Sequence, residues 1–362
     1  MFDAQPPPPP AEPIIVTGQA LPDPGAERAF HVDVIGSREL NDGSAHELDQ
    51  ILKEVPGLQL FRRSDSTSGH PTSQGVTLRA LGGTASSRAL LILDGVPQAD
   101  PFGGWVNWPA YDAAGLAEVR VVRGGGSVPY GSGALAGVVE MRSLATEGLN
   151  GSIEAGSRQS LRGHAFAGAT LGGSLLTIDA QAARSDGFIP ITRDTRGLAD
   201  RAAPYEEGSV RGRWVAPVAD QVEAQLSVLA FVDRRDRGVD FTGNRTRGAD
   251  ASIRFVGRGR WQWSALAYTQ WRNLRSSFAS VSDDRSSSAR VSLQDSVPSQ
   301  GLGFSAEVRP PLGNGLDLGL GMTGALRTES RASFTPTSLA GPREGASPVA
   351  RPRPTACSPK PA

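Results

Sequence analysis

Cysteine is nearly absent from this sequence, and neither charge is in excess. Cys357 is the only cysteine among 362 residues, which excludes a disulfide framework and a multi-cysteine metal site. Basic and acidic residues number 37 each, so no net positive charge favours nucleic acid. The four histidines lack the HxxxH and HExxH spacings of metal ligands. We therefore expect no nucleic-acid partner, no metal centre and no resident cofactor.

Long hydrophobic runs are also missing. No stretch of 18 apolar residues occurs, so the sequence predicts no transmembrane helix. A membrane role would then require a closed β-barrel, the other fold that satisfies every backbone group in lipid. No secretory signal is present, because Met1 is followed by FDAQPPPPPAEP. Two interpretations follow, a cytosolic protein or a sequence that begins downstream of its leader, and we expect the second.

Signatures of catalysis and nucleotide binding are absent as well. The sequence has no GxSxG elbow, no GxxxxGK[ST] loop and no Cys–His pair, and so nominates no nucleophile. Gly131, Gly133 and Gly137 follow a strand at a spacing one residue too long for a dinucleotide fingerprint. Glycines in such a run allow sharp turns and close packing. We expect no enzymatic activity.

Short apolar runs separated by turn signals fill residues 89–143. Leu90–Leu93 is followed by Asp94-Gly95, a dipeptide that favours a β-hairpin. Two further apolar runs, Val119–Val122 and Val138–Met141, are separated by glycine-rich sequence. This pattern predicts a set of short strands.

A helix and two more strands precede these runs. Ser44 and Glu47 form a capping box, and Pro56-Gly57 ends the apolar helical face that follows. Strands are predicted over 58–61 and 76–80, with an exposed polar loop over 64–75 between them. Residues 30–143 are therefore predicted to form one compact α/β domain.

From about residue 150 the pattern changes to strict alternation. Val222–Val232 places valine, alanine and leucine on one face, with Glu223, Gln225 and Ser227 on the other. Segments 261–271 and 316–326 repeat this pattern, which is typical of outer-membrane barrel strands of about 10 residues. Strands of a soluble β-sandwich also alternate but are shorter, about 5–6 residues. The fold class predicted is an α+β domain followed by an antiparallel transmembrane β-barrel, and the family resemblance carried by residues 89–143 implies that this barrel is incomplete.

The region 89–143 strongly resembles the plug domain of TonB-dependent outer-membrane receptors. The family's LDG(V/I)P hairpin corresponds to Leu93–Pro97, and its strand ending in Arg-Gly corresponds to Glu118–Gly124. The resemblance extends over about residues 14–143, and it implies a plug (30–143) inside a barrel begun by residues 150–330. The motif residues that it assigns are Asp94, Gly95, Gly124, Tyr130 and Gly131.

The resemblance also implies a function. Members of the family take up a scarce nutrient, such as a siderophore, a cobalamin or a saccharide, across the cell outer membrane with energy delivered by TonB. Plugged transporters have about 22 strands, so the resemblance predicts a C-terminal truncation here and a disordered tail over 335–362. Two alternatives stay open: a truncated fragment that does not transport, and a soluble periplasmic β-rich binding module.

A proline-rich leader over residues 1–29 contains a short β-branched segment. Pro6–Pro10 predicts a stiff polyproline stretch. The segment after it is either the first strand of the next domain or a free strand that pairs with another protein. It resembles the TonB box, through which a receptor binds TonB, and consists of Ile14, Ile15, Val16, Thr17 and Gly18.

Two plug arginines, Arg79 and Arg123, each follow an apolar strand. A buried arginine needs a partner, because an unpaired buried charge is very costly. By resemblance these residues form ion pairs with glutamates of the barrel wall, for which Glu223 and Glu307 are candidates. The alternative is two ordinary surface arginines.

An aromatic loop, Asp100–Tyr111, surrounds a Gly-Gly pair. The resemblance implies that such loops rise toward the extracellular mouth and touch substrate. The same side chains would serve equally as core anchors of the plug. The residues concerned are Phe102, Trp105, Trp108 and Tyr111.

Overall fold

Two principal sheets follow one another along the chain. No helix in the described residues is long and apolar enough to cross a membrane. The computed structural model describes residues 18–21, 30–43, 45–62, 64–79, 81–124, 130, 133–312, 318–329 and 333–336.

The first domain, here called the plug, contains short strands and two short helices. Their bounds are β1 His31–Gly36, α1 Ser37–Asp42, α2 Leu48–Leu52, β2 Leu58–Leu60, β3 Val76–Leu78, β4 Ala89–Leu93, β5 Val96–Pro97, β6 Leu116–Arg123 and β7 Gly137–Ser143. The main sheet has the order β1-β6-β7-β4-β5, and β2 pairs with β3. Only the β4–β7 pair of these described strands is parallel.

Strands β6 and β7 bury one apolar face in the plug core, whereas their opposite face carries the ion pair between Arg120 and Glu140. They lie in the middle of the sheet, and Val121, Val139 and Met141 are fully buried.

The hairpin predicted at Asp94-Gly95 joins β4 to β5. Asp94 has a φ of 47° and Gly95 a φ of 82°. Positive φ at both central positions is the geometry of a tight turn that follows the right-handed twist of its strands.

The second sheet is entirely antiparallel and has ten strands. Their bounds are β8 Gly148–Ala155, β9 Leu161–Leu171, β10 Ser174–Ser185, β11 Tyr205–Ala219, β12 Val222–Arg235, β13 Asn244–Arg258, β14 Gln262–Val281, β15 Ser288–Arg309, β16 Leu320–Glu329 and β17 Ser333–Pro336. Strands β8 to β16 pair in chain order, and β17 pairs with β15. The edges β8 and β16 do not pair with each other in the described residues, so the barrel is not closed.

The two faces of this sheet have the polarity of a membrane barrel. On β12, Glu223 is 2% exposed, whereas Leu226 and Val228 are 44% and 50% exposed. Polar side chains therefore point inward and apolar ones outward, as the alternation predicted. We call the inward face of β9–β15, which surrounds the plug, the barrel wall.

The two ends of the sheet differ in their connections. Short turns over 172–173 and 220–221 lie at one end, and longer loops over 186–204 and 236–243 lie at the other. Outer-membrane barrels have short periplasmic turns and longer extracellular loops. We refer to the long-loop end and the short-turn end.

The plug differs from its prediction at two places. Helix α2 begins at Leu48, and Glu47 makes no capping bond because its carboxylate pairs with Arg162 of the wall. The loop over 64–75 is not uniformly exposed, since Ser66 is fully buried. Asp49 explains this burial, because its carboxylate accepts hydrogen bonds from the Ser66 backbone N–H and Oγ.

Candidate functional site

The plug meets the barrel wall through hydrogen bonds and ion pairs as well as through apolar packing. Gly115 O accepts a 2.6 Å hydrogen bond from Arg211 of β11, and Pro97 O accepts one of 2.8 Å from Gln270 of β14. Buried carbonyls require such partners. Directional bonds of this kind fix one seating of the plug in the barrel.

Carboxylates of the plug face basic side chains of β9. Glu47 pairs with Arg162, and Asp112 Oδ2 lies 3.3 Å from His164 Nε2. Burial raises the pKa of Glu47, against the opposing effect of Arg162. Burial likewise raises the pKa of Asp112, against the effect of His164. The seam is therefore an ionic contact held at low solvent exposure.

Three residues of this seam have the composition of a metal site. The ligating atoms of Asp112, His164 and Asp179 lie within 4.8 Å of one another. Arg211 Nη2 also lies 3.3 Å from Asp179 Oδ1. That guanidinium already supplies a positive charge beside the two carboxylates. The cluster fits an ion network that needs no added cation.

The Asp94-Gly95 turn is held by hydrogen bonds within the plug and also contacts the barrel wall. The Asp94 carboxylate accepts hydrogen bonds from the Ser143 backbone N–H at 3.0 Å and from Ser143 Oγ at 2.6 Å. Its backbone carbonyl accepts one from Arg254 of β13. A Cβ on Gly95 would lie 1.8 Å from Arg254 Nη2. Glycine at this position lets the turn approach the wall closely.

Arg213 of β11 connects this turn to the N-terminal segment. Its guanidinium donates to Ser143 Oγ at 2.9 Å and to the carbonyl of Gly18. The carbonyl of Gln19 accepts from Gln225 at 2.8 Å and from Arg258 at 2.6 Å. Gly18 is the last residue of the predicted TonB box; Ile14, Ile15, Val16 and Thr17 lie outside the described residues.

Arg79 and Arg123 take positions that differ from the predicted wall contacts. Arg79 is exposed at the end of β3, with a φ of 60°. Arg123 pairs with Asp33 of the adjacent strand β1, because the β1–β6 register places the two residues diagonally opposite. Among the described residues, neither arginine pairs with the wall.

The two glutamates considered as their partners bind arginines of the barrel itself. Glu223 Oε2 lies 3.3 Å from Arg258 Nη1. Glu307 Oε1 accepts a hydrogen bond from Arg309 Nε at 2.6 Å. The prediction placed arginines on the plug and glutamates on the wall. In the structure, arginines of the wall instead donate to carboxylates and carbonyls of the plug.

The aromatic loop divides into core residues and one exposed ring. Trp108 is 1% exposed, and Tyr111 is buried with its hydroxyl bonded to Gln98 Oε1 at 2.9 Å. Trp105 packs against Leu274 of the wall. Phe102 is 44% exposed and lines a cavity of about 740 Å³ between the plug and β13–β16. Phe102 is the one of the four best placed to meet a ligand.

The remaining motif residues serve packing. Tyr130 packs against the cluster that contains Ile92 and Val138. A Cβ on Gly124 would lie 2.5 Å from the ring of Phe30, so only glycine fits there without a shift. Gly131 lies outside the described residues.

The wall residues that hold the plug escaped prediction from the sequence. Arg211, Arg213 and Arg254 occupy inward positions of strands whose other face is apolar. That alternation was a usable signal, because an arginine on the inward face of a barrel strand must find an acceptor within the lumen.

Comparison with known proteins places these features in a family. A family model described as the TonB-dependent Receptor Plug Domain matches residues 25–138. The vitamin B12 transporter BtuB of Vibrio vulnificus (strain CMCP6) is 29% identical over 140 residues, which cover 39% of this chain and 22% of that protein. A hemin receptor of Yersinia enterocolitica is 29% identical over 134 residues, covering 37% of this chain and 18% of that protein. The matched region is about a fifth of each relative.

Solved structures extend the likeness of fold beyond the plug. The siderophore receptor PirA from Acinetobacter baumannii superposes with a TM-score of 0.63 at 16% identity, covering 82% of this chain and 48% of that one. The ferric-catecholate import receptor Fiu from E. coli K12 gives a TM-score of 0.62 at 15% identity, covering 83% and 50%. This chain spans about half the length of these receptors. Residues 25–138 thus match the plug domain of TonB-dependent receptors, and the strands that follow have the fold of the barrels of such receptors.

Proposed function

We propose that this chain forms the plug and the first barrel strands of an outer-membrane receptor that imports a metal-bearing nutrient with energy from TonB. The observation that carries the proposal is the position of Arg213. Its guanidinium contacts the N-terminal segment at Gly18, the plug at Ser143 and the wall at Gln225. One side chain joins the three parts that energy-coupled uptake must move relative to one another.

The proposed mechanism is release of the N-terminal segment. Substrate entering from the long-loop end shifts the plug, and the Asp94-Gly95 turn withdraws from Arg213. The Gly18 carbonyl then loses its donor, and segment 14–18 becomes available to add a strand to TonB. Substrate shifts this equilibrium only as far as it binds the released state more tightly than the seated one.

The proposed substrate class is a bulky metal chelate. The reported relatives and structures are named for vitamin B12, hemin and siderophores, compounds that contain or chelate a metal ion. The cavity beside Phe102, at about 740 Å³, has the size of a typical small-molecule pocket. These points support a siderophore, haem or cobalamin over the saccharide class that the resemblance also allowed.

Binding of TonB to the detergent-solubilised chain tests the proposal. The affinity of the periplasmic domain of TonB is measured alone and with cyanocobalamin, hemin or a ferric catecholate. We expect one of these ligands to raise the affinity at least ten-fold. Absence of any enhancement with all three would count against coupled uptake of this class.

Carbonate extraction of membranes separates the alternatives. A barrel stays in the membrane pellet, whereas a soluble binding module is released. The exposed apolar side chains of β12, such as Leu226 and Val228, support retention. A chain that is retained and binds ligand, but never binds TonB, would favour the non-transporting fragment.

A further inference from the structure

A row of charged side chains crosses the outward face of the barrel near its long-loop end. Arg184 of β10 lies opposite Glu206 of β11, which lies opposite Arg234 of β12. Arg234 in turn lies opposite Arg245 of β13, and Arg245 lies opposite Arg275 of β14. Three arginines are therefore adjacent in register. Like charges directly opposite one another on neighbouring strands destabilise a sheet.

The outer members of this arginine row have acidic partners. Arg234 Nη1 lies 3.5 Å from Glu206 Oε2, and Arg275 Nε lies 3.0 Å from Asp295 Oδ1. Arg245, in the middle, pairs with no acid among the described residues. Its Nε atom is buried without a hydrogen-bond partner there. The centre of the row is thus a cationic position that lacks an anion.

The row lies between the outward-facing apolar residues of the barrel and its long-loop end. Ala249, four residues along β13 from Arg245, lies opposite Trp271, and the exposed Ile253 lies four residues further along the same strand. At a rise of roughly 3.4 Å per residue, Arg245 lies about 14 Å along the strand from the position opposite Trp271. Aromatic residues mark the interface of an outer-membrane barrel, and headgroups lie beyond them.

A cleft of about 420 Å³ opens beside the row. Five arginines and two carboxylates line it, together with the apolar side chain of Leu293, so positive charge is in excess. The charged residues are Arg234, Arg235, Arg245, Arg275, Arg290, Glu206 and Asp236. Guanidinium groups bind phosphate through two parallel hydrogen bonds, which makes an arginine cluster well suited to a phosphate monoester. The cleft offers charge for a phosphate and apolar surface for the group that carries it.

We propose that Arg234, Arg245 and Arg275 bind a phosphate group of a phosphorylated glycolipid in the outer leaflet. The proposal rests on the outer-membrane location given under the proposed function, since the long-loop end faces that leaflet. The phosphate supplies the counter-charge that the strand register leaves out. Lipid rather than free phosphate is the expected source, because the row adjoins the outward-facing apolar residues.

Thermal unfolding of the whole chain in a neutral detergent, titrated with diphosphoryl lipid A, tests this site. We expect lipid A to raise the melting temperature and Arg245→Gln to weaken its binding at least ten-fold. Without lipid, Arg245→Gln should unfold at the same or a higher temperature, because it relieves repulsion. Arg260→Gln, which removes an exposed arginine from the short-turn end, is the matched control and should bind as the unchanged chain does.

Two outcomes would overturn the proposal. One is equal binding of lipid A by the Arg245→Gln variant. The other is an equal shift from the same concentration of inorganic phosphate, which would make free phosphate the ligand. The titration requires no insertion into a membrane, so a failed outer-membrane location is detected separately, by carbonate extraction.

Discussion

Asp94 Oδ1 of the plug lies 3.9 Å from Arg213 Nη1 of the barrel wall, and the same guanidinium donates to the carbonyl of Gly18. Burial alone would raise the pKa of Asp94, but Arg213 and Arg211 and the hydrogen bonds from Ser143 hold it below its ordinary value. The carboxylate is therefore ionised at neutral pH. It keeps Arg213 oriented toward the N-terminal segment.

Replacing Arg213 with Gln should loosen the N-terminal segment. A hydrogen bond to a charged group contributes about 1.5–3 kcal/mol, and this substitution removes several at once. A spin label at residue 19, in a Cys357→Ser background, should become more mobile than in the unsubstituted chain. Arg260→Gln should leave the spectrum as it is. An unchanged spectrum in Arg213→Gln would mean that the other contacts of Gln19 suffice.

Replacing Ile15 with Pro should block coupling while sparing ligand binding. Proline removes a backbone donor from any strand that segment 14–18 adds to TonB. We expect the affinity for the TonB periplasmic domain to fall at least ten-fold, with ligand affinity unchanged. Pro13→Ala, next to the segment, serves as the control. Full TonB binding by Ile15→Pro would refute the assignment of this segment.

His70 predicts acid sensitivity of the seated plug. Its Nδ1 accepts from the Thr72 backbone N–H at 3.2 Å, so Nε2–H is left to donate to Ser276 Oγ of the wall at 3.1 Å. Burial, together with Arg237 and Arg235, lowers the pKa of His70 from 6.5 to about 3. The unfolded chain takes up this proton near pH 6.5 and the folded chain only near pH 3. Stability therefore falls as pH drops between these values, by up to about 1.4 kcal/mol per pH unit.

Urea unfolding at several pH values checks this prediction. His70→Gln retains a hydrogen-bonding side chain without a titrating group, and it should flatten the slope of unfolding free energy between pH 6.5 and 4. His31→Gln, at an exposed histidine of the plug, is the comparison and should keep the slope. An identical slope in His70→Gln would assign the acid sensitivity to other groups.

Phe102 and Trp108 should respond differently to truncation. Trp108→Ala removes a core side chain and should lower the unfolding free energy by about 3–5 kcal/mol. Phe102→Ala removes an exposed ring and should cost less than about 1 kcal/mol. Calorimetric titration with cyanocobalamin, hemin or a ferric catecholate should then detect weaker binding in Phe102→Ala, although its fold is intact. Unchanged ligand affinity would remove Phe102 from the site.

Strand periodicity made much of the fold predictable. Alternation over Val222–Val232 indicated both the strand and its faces, and β12 has Glu223 inward and Leu226 outward. The Asp94-Gly95 dipeptide likewise predicted its hairpin, because few other residues tolerate positive φ at both positions. Local chemistry determines these features, so a single sequence suffices to find them.

Ion-pair partners were not predictable in the same way. Arg123 and Arg213 both lie on strands, yet one pairs within the plug and the other reaches Gly18, which is 195 residues away in sequence. Such pairings depend on how the plug seats in the barrel, which no local pattern records. The burial of Ser66 escaped prediction for the same reason, since its partner, Asp49, lies on a helix earlier in the chain.

Gly95 determines how closely the plug approaches the barrel wall. Because Gly95 has no side chain, the turn lies close enough to the wall for the Asp94 carbonyl to accept a hydrogen bond from the Arg254 guanidinium. A Cβ at residue 95 would clash with the Arg254 guanidinium, so the plug would have to shift away from the wall. That shift would lengthen the hydrogen bonds near the turn. Glycine at this position thus permits the hydrogen bond that joins the plug to β13.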